Sequence, residues 1–243
     1  MISHTLEKIH FLSGDQRIDG TLFTPTLRRE KFPAVIFLHG LTSSEKRYID
    51  FAEALSSLGF ITLTINMRGH GTSDGSPDIL RIKDAQQDGI AAYDYIFQNE
   101  QVDQSRIGIC GSSFGAAVAS LVSVTRKIKS LVLRVPATYS DAMMDMSYSQ
   151  IMTDENNIFN TLSNPKDTPA VEAISLFRGD LLIVVSGQDA IIPRQIPQQY
   201  FDSAMKVSSK EFTVIEGATH PLSNEKHKKQ FEIMMQNWFQ KTL

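Results

Sequence analysis

The sequence predicts an α/β protein: a mostly parallel sheet with helices on both faces and an antiparallel hairpin at one edge. Short β-branched runs alternate with longer stretches of helical periodicity, the pattern of repeated strand–helix–strand units. The apolar runs Ala34 to Leu38 and Leu181 to Val185 are short enough for buried strands and far below the ~20 residues needed to cross a bilayer. Over 243 residues, 42% are hydrophobic and 21% charged, which suits a globular chain and argues against disorder, collagen-like repeats and coiled coil.

Each element follows from local residue choice. Leu6 to Phe11 and Arg17 to Leu22 flank Ser13-Gly14-Asp15, which reads as an edge hairpin. Ala34 to His39 is a strand, Tyr48 to Leu58 a helix closed by Gly59, and Phe60 to Asn66 the next strand, followed by a glycine-rich loop from Arg68 to Gly75. A helix runs from Asp84, read as its N-cap, to about Asn99. Arg106 to Cys110 is a strand that turns at Gly111 into a small-residue helix, Phe114 to Thr125, and Ser130 to Val135 is again a strand.

The alternation breaks at about 136–179, a polar stretch with no clear strand, and then resumes. Leu181 to Ser186 is a strand, a helix spans about Pro193 to Ala204, Glu211 to Glu216 is a strand, and Glu225 to Lys241 is the last helix. Strands on both sides of the break, with neither half complete, predict one domain over residues 1–243 carrying a lid insertion at about 136–179.

Charge and cysteine use narrow the function classes. With 24 basic and 27 acidic residues, a formal −3, no overall field recruits phosphate backbones or anionic lipid, so nucleic acid is not an expected partner. The single cysteine, Cys110, forms no intrachain disulfide and no thiolate zinc site, and reads as packing in a reducing compartment. The N-terminus lacks the basic start and long apolar stretch of a secretory signal, so the expected location is cytoplasmic, without a membrane span.

The chemistry centres on Gly111-Ser112-Ser113-Phe114-Gly115, a G-x-S-x-G sequence placed where a buried strand turns into a helix. Register selects Ser113, which has glycine at both −2 and +2, as the candidate nucleophile. At such an elbow side chains two positions away collide with neighbouring backbone, and the helix N-terminus favours developing negative charge. A serine hydroxyl needs a base, and the base a carboxylate to orient it. His220, just beyond the last strand in Gly217-Ala218-Thr219-His220-Pro221, is the best of the six histidines. Asp189 follows the Leu181 to Ser186 strand at the carboxyl edge and is the candidate acid; an Asx turn or a helix cap ahead of Pro193 is what an isolated Asp in such a loop would otherwise suggest. The order Ser113, Asp189, His220 is the one expected with this elbow. The oxyanion donors expected are the backbone N–H of Phe114 and that of Leu41 in His39-Gly40-Leu41-Thr42, with Gly40 letting the backbone turn inward.

This constellation resembles the α/β-hydrolase superfamily over about Ala34 to Phe239. Asn66-Met67-Arg68-Gly69-His70-Gly71-Thr72-Ser73 is similar to the Asp-x-Arg-Gly-His-Gly-x-Ser segment of esterases, lipases and serine-aminopeptidase-like members, with Asn66 at the usual Asp position. Gly187-Gln188-Asp189 and Gly217-Ala218-Thr219-His220 look most like the feruloyl-esterase and monoglyceride-lipase-like group. The resemblance implies an α/β-hydrolase fold and a serine esterase working through an acyl-enzyme on esters of small or medium acyl or aromatic acids, with no metal or organic cofactor. The serine at the elbow separates the chain from dienelactone hydrolases, which use cysteine. A peptidase or acyl thioesterase on the same triad, and a non-catalytic ligand-binding module on the same fold, remain as alternatives. The expected partner is a small-molecule ester; a homodimer is the one protein partner allowed for. Met143, Met144, Met146 and Met152, beside Tyr139 and Tyr148, read either as an adaptable pocket lining or as the insertion's own small core.

Overall fold

A computed structural model describes residues 2–153 and 168–243. Strands β1 (His4–Ser13), β2 (Gln16–Pro25), β3 (Phe32–Leu38), β4 (Ile61–Ile65), β5 (Val102–Ser112), β6 (Ser130–Arg134), β7 (Asp180–Gln188) and β8 (Ser209–Thr219) form one sheet in the order β1-β2-β4-β3-β5-β6-β7-β8. From β4 to β8 every neighbouring pair is parallel, while β1 and β2 add an antiparallel edge. Ser13 pairs with Gln16, so Gly14 and Asp15 form the turn, and Gly14 at φ 65° takes the left-handed position that such a hairpin demands.

The helices are α1 (Ile49–Ser56), α2 (Ile82–Phe97), α3 (Phe114–Val122), α4 (Tyr148–Thr153), α5 (Pro169–Leu176), α6 (Gln195–Ser203) and α7 (Glu225–Thr242). Alternation along each strand divides the core in two. Val35, Phe37, Cys110 and Val132 join Phe51, Leu55, Phe231 and Trp238 of α1 and α7 on one face. Ala34, Ile36, Leu38 and Ile109 join α2, α3, α5 and α6 on the other. All of α3 is buried, as its all-round apolar sequence requires.

One local expectation changes. Asp84 is not the N-cap of α2 but its third residue; the cap is Arg81, whose N–H and guanidinium both donate to the Asp84 carboxylate. The stretch 136–179 contains helix: a short 3-10 turn at Asp141–Asp145, α4 and α5. Its residues 154–167, and the Met152 side chain, lie outside the described residues. Met144 is buried in the α2–α6 core and Met143 and Met146 pack against it, which favours the packing reading of the methionine cluster. Among the described residues no helix is long and apolar enough to cross a membrane.

Sheet order positions the site. The chain leaves β3 towards β4 on one side and returns past it to β5 on the other, so the loops after β3 and β5 diverge at their carboxyl ends. Open α/β sheets place their ligands at such a switch point.

Candidate active site

Ser113 occupies the junction of β5 and α3 with φ 54° and ψ −116°, a conformation that L residues rarely hold. The flanking glycines are forced by close approach. A Cβ at Gly111 would lie 2.3 Å from the Gly115 carbonyl oxygen, and one at Gly115 would lie 2.1 Å from that of Leu38. Strain of this kind costs about 1–3 kcal/mol and persists only where surrounding bonds over-determine it. Here the Ser113 N–H donates to the Arg134 carbonyl at 2.9 Å, and the Ser113 carbonyl accepts from Ala116 (3.0 Å) and Ala137 (3.2 Å).

His220 and Asp189 arrive from the loops after β8 and β7, which are parallel neighbours. His220 Nδ1 and Asp189 Oδ2 are 2.8 Å apart, with both side chains largely buried. Asp189 Oδ1 accepts from the N–H groups of Ile191 and Ile192, each at 2.9 Å. The Asx turn and the histidine partner are therefore both real: one oxygen serves each. Burial alone would push the Asp189 carboxyl up, but the hydrogen bonds from His220, Ile192 and Ile191 outweigh it and hold its pKa below the ordinary carboxylate value. With Nδ1 turned to Asp189, Nε2 is the His220 nitrogen left to face other groups.

Among the described residues no hydrogen bond joins His220 Nε2 to the half-buried Ser113 hydroxyl. The two are tied through a third residue that sequence reasoning missed. Arg134, at the end of β6, accepts the Ser113 N–H through its carbonyl and donates from Nη1 to the His220 carbonyl at 2.9 Å.

The loop after β3 lies beside the elbow: a Cβ at Gly40 would sit 3.8 Å from that of Ser113. That is ordinary contact, so a side chain at Gly40 would not be excluded by these neighbours. What orients the loop is His39, which is fully buried. Its Nε2 accepts the Met67 N–H at 3.0 Å, so Nδ1 carries the hydrogen and donates to the Gly40 carbonyl at 2.8 Å. Burial pushes the His39 pKa down to about 3, against the Gly40 bond and with the help of His70, so the ring is neutral. In a trans peptide the N–H points opposite to the C=O, so holding the Gly40 carbonyl also aims the Leu41 N–H. The Leu41 carbonyl meets His70 Nε2, whose Nδ1 faces the Arg68 carbonyl at 3.1 Å. The N–H groups of Leu41 and Phe114 donate to no acceptor among the described residues.

Asn66 also has a local reason. Its Oδ1 accepts the Glu45 N–H at 3.0 Å, next to a buried Glu45 carboxylate already held by Lys8, Thr21 and Thr64. A second carboxylate there would repel the first.

The sequence model of the family described as serine aminopeptidase, S33, matches residues 29–178. An uncharacterized protein of Mycobacterium tuberculosis is 27% identical over 193 residues, 77% of this chain; the match spans 63% of that relative's length. Among solved structures, Est1E of Butyrivibrio proteoclasticus with ferulic acid bound superposes with a TM-score of 0.77 at 19% identity, covering 96% of this chain and 98% of that one. An acylaminoacyl peptidase of Pyrococcus horikoshii gives 0.75 at 18% identity, covering 100% of this chain and 42% of the other. At such identities the two structures share a fold with this chain and nothing finer.

Proposed function

Because the chain belongs to the serine aminopeptidase S33 family of α/β hydrolases, we propose that it cleaves carboxylic esters through an acyl-enzyme formed on Ser113. The observation that carries this reading is the 2.8 Å bond between His220 and Asp189 at the sheet edge that also presents Ser113. His220 Nε2 takes the Ser113 proton as Oγ attacks the acyl carbon, and then gives that proton to the departing alcohol. Asp189 holds the imidazole in the required tautomer. The N–H groups of Leu41 and Phe114, free of other acceptors, receive the oxyanion, and each such donor is worth about 10²–10³ in rate. Water activated by the same histidine releases the acid. Among the described residues Oγ and Nε2 are not hydrogen-bonded; catalytic hydrogen bonds of this kind often form or tighten only when substrate binds.

Turnover of small p-nitrophenyl esters tests the reading. Ser113→Ala is expected to lower it by about 10⁴-fold or more with the fold intact, and Asp189→Asn to lower kcat by about 10²–10⁴ with little change in KM. Full activity in Ser113→Ala overturns the assignment. A second reading, a peptidase on the same triad, is favoured by the family's description. Aminoacyl p-nitroanilides in the same assay separate the two, and a ligand-binding module would turn over neither.

A further inference from the structure

Arg134 is a buried cation with no counter-charge at contact distance among the described residues. It is 7% exposed, yet among the described residues it forms no ion pair, and its side-chain hydrogen bond is the one to the His220 carbonyl. Nε and Nη2 have no partner among those residues, and neither is sealed from solvent. Burial pushes the guanidinium down from its ordinary value; Tyr48 and Asp189 oppose this from longer range, while the charge of Arg47 adds to it. Buried guanidinium groups are normally matched by an anion, because taking an unpaired charge out of water is costly.

Arg134 lines a cavity of about 580 Å³ between the α1 and α7 sides of the molecule. Its lining includes Thr42, which follows Leu41 in the loop after β3, and Leu222, two residues beyond His220, so the cavity neighbours the site in the chain although Ser113 and His220 do not line it. Phe51 and Phe231, edge to face at 5.4 Å, supply an apolar wall. Lys46, Arg47, Lys228 and Lys229 add further cations. Of the acids that line it, Glu225 and Glu232 are already bound by Lys228 and Lys229 at 2.5 and 2.6 Å, leaving Asp50 alone against Arg134, Arg47 and Lys46. The cavity is thus locally cationic in a chain whose formal charge is −3.

From this geometry we propose that the cavity is a subsite for an anionic group, a carboxylate or a phosphate, carried by the substrate whose ester lies at Ser113, with Arg134 as its buried anchor and Arg47 at its rim. A planar guanidinium with free donors suits the oxygens of either anion. Attributing the anion to a substrate rests on the ester-hydrolase reading; the anion site itself does not.

Calorimetric titration of Ser113→Ala protein with glutarate and, separately, with inorganic phosphate tests the site without any turnover. Binding of either probe is expected to weaken about tenfold or more when Arg134→Gln is added, and measurably with Arg47→Ala, a change at an exposed position. The probe that binds identifies the anion. Binding of neither, or binding indifferent to both substitutions, overturns the proposal. In chain with Ser113 restored, kcat/KM for mono-p-nitrophenyl glutarate relative to p-nitrophenyl pentanoate is read as a ratio, so that any general loss through the His220 contact cancels. If glutarate is the probe that binds, the ratio is expected to fall about tenfold in Arg134→Gln and to fall also in Arg47→Ala; an unchanged ratio overturns the substrate role. Arg134-dependent binding with no turnover of any ester would instead refute the ester reading and leave the anion site standing.

Discussion

On the proposed mechanism, Ser113 concentrates a conflict between stability and chemistry in one residue. At φ 54° and ψ −116° it holds a conformation that glycine adopts freely. Ser113→Gly is therefore expected to raise the unfolding free energy by about 1 kcal/mol while abolishing ester turnover, as read by urea titration and by the p-nitrophenyl assay. A destabilised glycine variant would mean that the serine side chain contributes more to the fold than the elbow strain removes. His39 makes the second prediction at this scale. Its folded pKa is about 3 against an ordinary 6.5, so the unfolded chain takes up a proton as pH falls through 6.5 and the folded chain does not until about 3. Between those values the unfolded state binds more protons, so this site's contribution to stability is complete above pH 6.5 and declines with acid by up to about 1.4 kcal/mol per pH unit. His39→Gln is expected to flatten the acid limb of the stability profile; an identical slope would place the neutral ring elsewhere. Ser113, Asp189 and His220 were legible because each follows a strand and the motif fixes the register. His39 and Arg134 were not, because their roles depend on partners 28 and 86 positions away.

The elements that matter most are β3, β5 and α3, which meet with almost no clearance. Gly115 lets α3 touch the end of β3, where an added Cβ would lie 2.1 Å from the Leu38 carbonyl and 2.5 Å from that of His39. Gly115→Ala must push the elbow away from the loop bearing Leu41. The expected result is a stability loss of about 1–3 kcal/mol together with a fall of about 10²-fold in kcat/KM, because small misplacements of reacting groups cost that much. An alanine variant of unchanged kcat/KM would show that elbow and loop need not be held together. Strands of the parallel region were readable as β-branched apolar runs, but their ends were not: β5 begins at Val102 and β7 runs on to Gln188, in polar stretches where only pairing with neighbours extends them. Asp84 illustrates the limit of capping rules, since a carboxylate at the third helical position satisfies the Arg81 N–H as well as an N-cap side chain satisfies its own targets.

Across the whole molecule, one sheet receives strands from both sides of the 136–179 stretch and separates two apolar layers. Cys110 lies in the layer with α1 and α7, fully buried, where loss of solvation pushes its thiol up to about 12. Its reaction with a disulfide reagent is therefore expected to be negligible in the native protein at about pH 8 and to follow global unfolding as urea is added. Rapid labelling without denaturant would contradict the packing of that layer. Strand alternation in the sequence predicted a parallel sheet, yet it did not encode the order in which β4 and β5 flank β3, which depends on crossovers that leave no local mark. That order is what puts the Leu41 loop and the Ser113 elbow side by side.

The most direct measurement is the site and rate of labelling by a fluorophosphonate probe, located by peptide mass spectrometry. One adduct is expected, on the Ser113 peptide, with the rate falling about 10³-fold or more in His220→Ala. No adduct, an adduct on another residue, or a rate indifferent to His220 would contradict the proposed mechanism.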